Sequence, residues 1–240
     1  MTMLYQDQLF ASLDVDLHLE RIAGGNETEV YCSDDRQYVV KVKSDDGGSA
    51  DLALARAVSR RDAARAFAQV MGPNHSIPTY FILGRNSAGE VQAVAIQPYL
   101  REATPLFAID YRTLDLAERQ WIAGQLLAIL GRSVRTLLTR GWMPDLYGRS
   151  NASSEERRRA RTWRNLPARL WSFLVQRTLL RSHNLLLTPE PHHTLVLVDY
   201  DPVPRSRLYR LVYYSMRLWL FVRDVALILF LWAGGSVPAA

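Results

Sequence analysis

Lysine is nearly missing from this chain of 240 residues. Twenty-seven arginines stand against two lysines, Lys41 and Lys43, and both lysines fall in the run Tyr38-Val39-Val40-Lys41-Val42-Lys43. The arginine excess reads as a coding bias. Against it, two lysines kept in one β-prone segment point to a place where a compact ammonium is wanted and a planar guanidinium will not serve; chance is the alternative. Cysteine is as scarce. The single Cys32 excludes an internal disulfide, gives no metal site and fits a reducing compartment. At the N-terminus, Met1-Thr2-Met3-Leu4-Tyr5-Gln6-Asp7 has no basic stretch followed by an apolar run, which predicts no secretory signal. Long apolar runs are also lacking. Leu218 to Ala233 is interrupted by Arg223 and Asp224, and the remainder, Val225 to Ala233, is too short to span a bilayer. The expected location is cytoplasmic, with the inner face of a membrane as the peripheral alternative.

What is present is enough to build a core. Nearly half of the residues, 48%, are hydrophobic, so disorder is not the expectation. Strand, turn and strand are predicted from Arg21 to Val42, with turns at Gly24-Gly25-Asn26 and Ser33-Asp34-Asp35-Arg36. Ser44 to Ser49 reads as a flexible linker. The alanine-rich stretch Asp51 to Met71 predicts a helix stopped by Gly72-Pro73. Two further strands are expected at Thr79 to Gly84 and Val91 to Gln97, the second ended by Pro98. Leu116 to Thr139 is a strongly amphipathic helix, with Asp115 and Glu118 at capping-box spacing and Gly141 as its stop. Ser153 to Arg181 reads as a basic helical stretch. Asn184 to Leu187 and Thr194 to Val198 read as short strands, and Leu208 to Trp232 as a final helix, buried in the first reading and a monotopic anchor in the second.

Five strands with one helix inserted, followed mainly by helices, is an α+β order in two lobes: 1–100, and 101–240 with a basic insertion at about 147–182. The boundary falls in Pro98 to Thr104.

Four segments carry chemistry, in a fixed order. Ala23-Gly24-Gly25-Asn26-Glu27-Thr28-Glu29-Val30 is a glycine-containing turn between strands that resembles the kinase glycine-rich loop, with Gly25 and Val30 matching that pattern; an ordinary hairpin is the alternative. Val39-Val40-Lys41-Val42 presents Lys41 and Lys43 on one strand face, and the flanking valines favour Lys41. A solvated edge strand is the alternative. Met143-Pro144-Asp145-Leu146 follows the long helix, and Asp145 is either a turn residue or an acceptor-orienting carboxylate. Last come Asn184-Leu185-Leu186-Leu187 and Leu195-Val196-Leu197-Val198-Asp199-Tyr200-Asp201. An amide and a carboxylate there are hard oxygen ligands suited to Mg²⁺; an Asp-rich turn after a core strand is the alternative.

Taken in order, these segments resemble the protein-kinase-like phosphotransferases, nearest to the small aminoglycoside-type and lipopolysaccharide-type kinases. The resemblance runs from about Arg21 to Pro202. It implies a kinase-like fold with a small antiparallel-sheet N-lobe and a short, mainly helical C-lobe, and it implies ATP and Mg²⁺. Lys41 would hold the phosphates, and Gln97, Tyr99 and Leu100 would form the interlobe hinge receiving the adenine. Asn184 and Asp199 would hold the metal, and Asp145 would orient an acceptor hydroxyl on an unknown small molecule or protein. Four departures stand out. Only Gly25 keeps the glycine pattern, and Met143 stands where the family has histidine. No glutamate occurs between Ser44 and Gly89, leaving Asp62 as the mid-helix carboxylate. Asp145 and Asn184 are far apart in sequence; Asn151 is nearer to Asp145, but a charged helical segment follows it. These departures carry a second expectation, a pseudokinase that binds a nucleotide or partner. A third comes from Arg157 to Arg181, where arginines alternate with Trp163, Leu166, Leu170 and Trp171: a peripheral anionic-membrane or nucleic-acid binder. A basic face whose apolar side packs on the C-lobe is its plainer alternative.

Overall fold

The computed structural model describes residues 19–24, 28–43, 47–85, 89–148, 177–200 and 207–235. It is α+β. Among the described residues there are three α-helices, a five-stranded antiparallel sheet and a three-stranded antiparallel sheet. The chain divides into two compact units.

The first unit holds β1 (Leu19–Gly24), β2 (Thr28–Ser33), β3 (Tyr38–Lys43), most of α1 (Ala50–Met71), β4 (Tyr80–Arg85) and β5 (Val91–Pro98). The strand order is β1-β2-β3-β5-β4. This corrects the edge-strand alternative for Lys41. β3 is the central strand, and Lys41 faces Val30 on one side and Ala95 on the other. The linker expectation also needs correction at its end, because Gly48 exchanges two main-chain hydrogen bonds with Val91, each 3.0 Å. β5 runs one residue further than expected and includes Pro98. In α1, Ala53, Ala57, Ala64, Phe67 and Met71 are buried, a stripe at helical spacing that small side chains allow to pack closely.

The second unit holds the end of α1, β6 (Thr104–Pro105), α2 (Leu116–Arg140), β7 (Leu185–Leu187), β8 (Leu195–Leu197) and α3 (Arg207–Trp232). α2 begins with the expected capping box. The Asp115 carboxylate accepts from the Glu118 N–H, and the Glu118 carboxylate accepts from the Asp115 N–H, each at 2.8 Å. Its buried side carries Ile122, Leu126, Ile129 and Leu130. The β7–β8 hairpin is nearly all buried aliphatic surface, and β6 joins it through Thr104 and Pro105. Gln125 of α2 ties the hairpin to the helix: its Oε1 accepts from the Leu195 N–H at 2.8 Å and its Nε2 donates to the His193 carbonyl at 3.1 Å. The predicted helix from Ser153 to Arg181 lies mostly outside the described residues. Its described end, Leu179–Arg181, is a single 3₁₀ turn leading into extended chain.

Candidate functional site

The loop leaving α2 is shaped by its own residues. Gly141 takes left-handed backbone, φ 73°, and its N–H closes on the Leu137 carbonyl at 2.9 Å, a conformation glycine adopts without strain. Met143, Pro144 and Leu146 are then buried, while Asp145 between them keeps 31% of its side chain exposed. Asp145 Oδ1 accepts from the Tyr147 N–H at 3.1 Å and from Arg217 Nη2 at 3.4 Å. Oδ2 accepts nothing among the described residues. One carboxylate oxygen therefore fixes the rotamer.

The hairpin reaches back to this loop over a long stretch of sequence. Asn184 Nδ2 donates to the Asp145 main-chain carbonyl at 2.7 Å, from 39 positions away. The His183 N–H donates to the Tyr147 carbonyl at 2.8 Å. Buried Ser182 clamps the crossing: its Oγ donates to the Leu146 carbonyl and accepts from the N–H groups of Asn184 and Leu185, both at 3.0 Å. Residues 182–184 thus bind residues 145–147 one for one. Across the hairpin, the Val198 N–H donates to the Asn184 carbonyl at 3.0 Å, continuing the register Leu185 to Leu197. Asn184 and Asp199 therefore stand at the same open end of the β7–β8 ladder.

Gly148 completes the seat for Asn184. It has φ 62°, and a Cβ there would lie 2.2 Å from Asn184 Oδ1 and 2.6 Å from Cγ. Gly148→Ala should cost about 1–2 kcal/mol from the left-handed backbone alone. It should also push Asn184 off the Asp145 carbonyl. Urea denaturation of the variant measures the first effect; the shift of the Asn184 side-chain amide resonance reports the second.

α3 supplies a cation that sequence reasoning did not single out. Arg217 has only 2% of its side chain exposed. Its guanidinium carbon lies 4.1 Å from the Tyr147 ring centroid and 5.0 Å from that of Tyr213, and its Nε donates to the Tyr213 hydroxyl at 3.1 Å. Burial pulls the Arg217 pKa down, but Asp145, then Tyr213 and Tyr147, raise it by more, so the net shift is upward. Burial, then the Asp145 charge, pushes the Tyr213 hydroxyl up to about 12. The Tyr147 hydroxyl donates to Asp224 Oδ2 and is raised further, by burial first and then by that carboxylate. Burial raises the Asp224 carboxyl above its ordinary range, against the opposing pull of Tyr147 and Arg223. A signal for this cluster was present in the sequence: Tyr213, Arg217 and Asp224 share one side of the final helix at i, i+4 and i+11.

The other residues singled out from sequence lie in the first unit. Lys41 and Val30 are cross-strand partners, with side chains on one face of the sheet. Gln97 is buried within β5, and its Nε2 donates to Thr79 Oγ1 at 2.9 Å. The Tyr99 N–H donates to the Gln37 carbonyl at 2.8 Å, and Leu100 follows, half-buried. Asp62 is 59% exposed and bonds the neighbouring Arg61 at 2.9 Å. Gly25 lies outside the described residues.

No known protein-family model matches the chain, and a search of curated proteins found no match. Among the described residues no group of three or more His, Cys, Asp or Glu side chains is placed to hold a metal. A cation here would take an amide oxygen and few carboxylates, completing its shell with water or phosphate oxygens, which is the habit of Mg²⁺. Asn184 fits that role. Its nitrogen is committed to Asp145, and its oxygen accepts no hydrogen bond among the described residues.

Proposed function

We propose that the chain is a kinase-like, two-lobed phosphotransferase that moves a phosphoryl group from ATP to a hydroxyl acceptor with Mg²⁺. The observation that carries this reading is the Asn184–Asp145 hydrogen bond, which joins two distant candidate residues and leaves Asp145 Oδ2 open. In this reading Asn184 Oδ1 and Asp199 hold the metal, which supplies positive charge against the phosphate oxygens when bound. Asp145 Oδ2 accepts the acceptor hydroxyl and orients its oxygen. As that oxygen bonds to the γ-phosphorus, the bond from phosphorus to the β–γ bridging oxygen breaks, and the hydroxyl proton passes to Asp145. Arg217 and the Tyr147 N–H keep the carboxylate from rotating. Lys41 supplies the phosphate cation on the strength of its strand motif. Gly25 and Val30 would cover the phosphates, and the chain from Gln97 to Leu100 would receive the adenine.

Calorimetric titration with ATP, with and without Mg²⁺, beside Asp199→Asn, tests the reading. Magnesium-dependent binding should appear in the wild type and be lost in the variant. No binding under any condition would sink the proposal.

A second reading, a pseudokinase, is favoured by the solvent-facing position of Asp62, the carboxylate left where the family has glutamate. It predicts nucleotide binding with no phosphate transfer to any of a panel of hydroxyl acceptors.

A further inference from the structure

α3 is inside out for a helix that faces water. From 211 to 235 its charged residues are Arg217, Arg223 and Asp224. Arg217 and Asp224 are buried, and Arg223 is half-buried, donating to Asp224 Oδ1 at 3.0 Å and to the Arg177 carbonyl at 2.5 Å. None of the exposed positions in that stretch is charged. They include Leu211, Trp219, Val222, Leu229, Phe230 and Trp232, with Trp219 70% and Val222 72% exposed. Most follow one another at three- and four-residue intervals along one side, over about 30 Å of helix. This corrects the expectation that the final helix is simply buried. A helix in water turns its charges out and its apolar stripe in. The reverse order suits an outer medium of low dielectric, where charge is costly and is turned toward protein.

We propose that this face docks on an anionic lipid surface, with α3 lying in the plane of the interface and its outer side chains at the boundary of headgroups and acyl chains. The proposal is independent of the phosphotransfer reading. Three observations choose lipid over a second copy of the chain or a protein partner. From 211 to 235 the exposed face has no charged residue along it, whereas paired helices in water use flanking charges to set register and partner. An exposed tryptophan, Trp219, stands along it, and indole rings favour the membrane interface. The formal net charge is +5, complementary to anionic headgroups. No described helix is long and apolar enough to cross a membrane, so α3 would lie on the bilayer and not through it.

The test is flotation of the full chain with phosphatidylcholine vesicles, alone and mixed with phosphatidylglycerol. Binding to the mixed vesicles is expected. It should fall at least about tenfold when Val222→Glu and Phe230→Glu are combined. Circular dichroism and melting should be unchanged, because both side chains point away from the core. If the double variant unfolds, Trp219→Ser gives the same readout. No binding by the wild type, or equal binding by folded variant and wild type, overturns the proposal. So does a concentration-dependent dimer in sedimentation velocity that the same substitutions dissociate, with no vesicle binding; the face would then belong to a second copy.

Discussion

Alanine at Asp145 is expected to lower phosphate transfer about 10²- to 10⁴-fold while nucleotide binding persists. The split follows from which atoms Asp145 uses. Asn184 bonds its main-chain carbonyl, and that contact needs no side chain. Asn184, a metal ligand in the proposed reading, therefore keeps its position when the carboxylate is removed. The acceptor loses the one oxygen that would orient it. Alanine also leaves the buried Arg217 without its carboxylate, so Asp145→Asn belongs beside it; the amide keeps the shape and an oxygen for Arg217. Both variants should bind ATP in calorimetry and fail in a coupled ADP-release assay. Turnover within a few-fold of wild type in the asparagine variant would remove Asp145 from its assigned role. Loss of binding together with turnover would instead mean that the loop had collapsed.

Asp224→Ala should destabilise the protein by about 3–5 kcal/mol, the range for breaking a buried charge pair by removing one member. Asp224 has no exposed side-chain surface. Its two oxygens accept from the Tyr147 hydroxyl and from Arg223, and alanine removes both acceptors. Asp224→Asn keeps an oxygen for Tyr147 and should cost less, about 1–2 kcal/mol. The pH dependence has a definite sign. Burial raises the folded-state pKa of Asp224, so the fold holds this proton more tightly than the unfolded chain does. The wild type should therefore lose stability relative to Asp224→Asn as pH rises from the ordinary carboxylate range through the raised value, and keep it below. Urea midpoints across that range measure the difference. A flat difference would mean that Asp224 ionises in the fold as it does in water. Because the Tyr147 ring lies against Arg217, the alanine variant should also loosen the support of Asp145.

Local signals were legible where they were local. Asp115, Glu118 and Gly141 mark the two ends of α2 within a few residues, and the helix runs from Leu116 to Arg140. Alternation in β3 put Lys41 and Lys43 on one face, but only the pairing with β2 and β5 makes that strand central. Pairing is long-range, and no count of apolar residues in a single strand contains it. β6 was invisible for a similar reason. Two residues, one of them proline, carry no period, and Thr104–Pro105 is a strand only because β7 lies beside it. For α3, hydrophobicity gave the helix and misled about burial, because an apolar side chain does not say which side of a helix meets the core. Within the candidate site, Asp145, Asn184 and Asp199 were chosen for their chemistry and order. Arg217 was not, because its partner is 72 positions away.

The ladder between residues 145–147 and 182–184 has a consequence for how this chain tolerates change in length. The two strands of contact hold the ends of an excursion together, with Gly148 packed directly against Asn184. For any flexible chain joining two fixed ends, the entropy of closure grows only logarithmically with length, roughly 0.6 kcal/mol per doubling. Residues 145–147 and 182–184 hold such a pair of ends by their own hydrogen bonds, so the contacts that define the crossing do not themselves change with the number of residues between them.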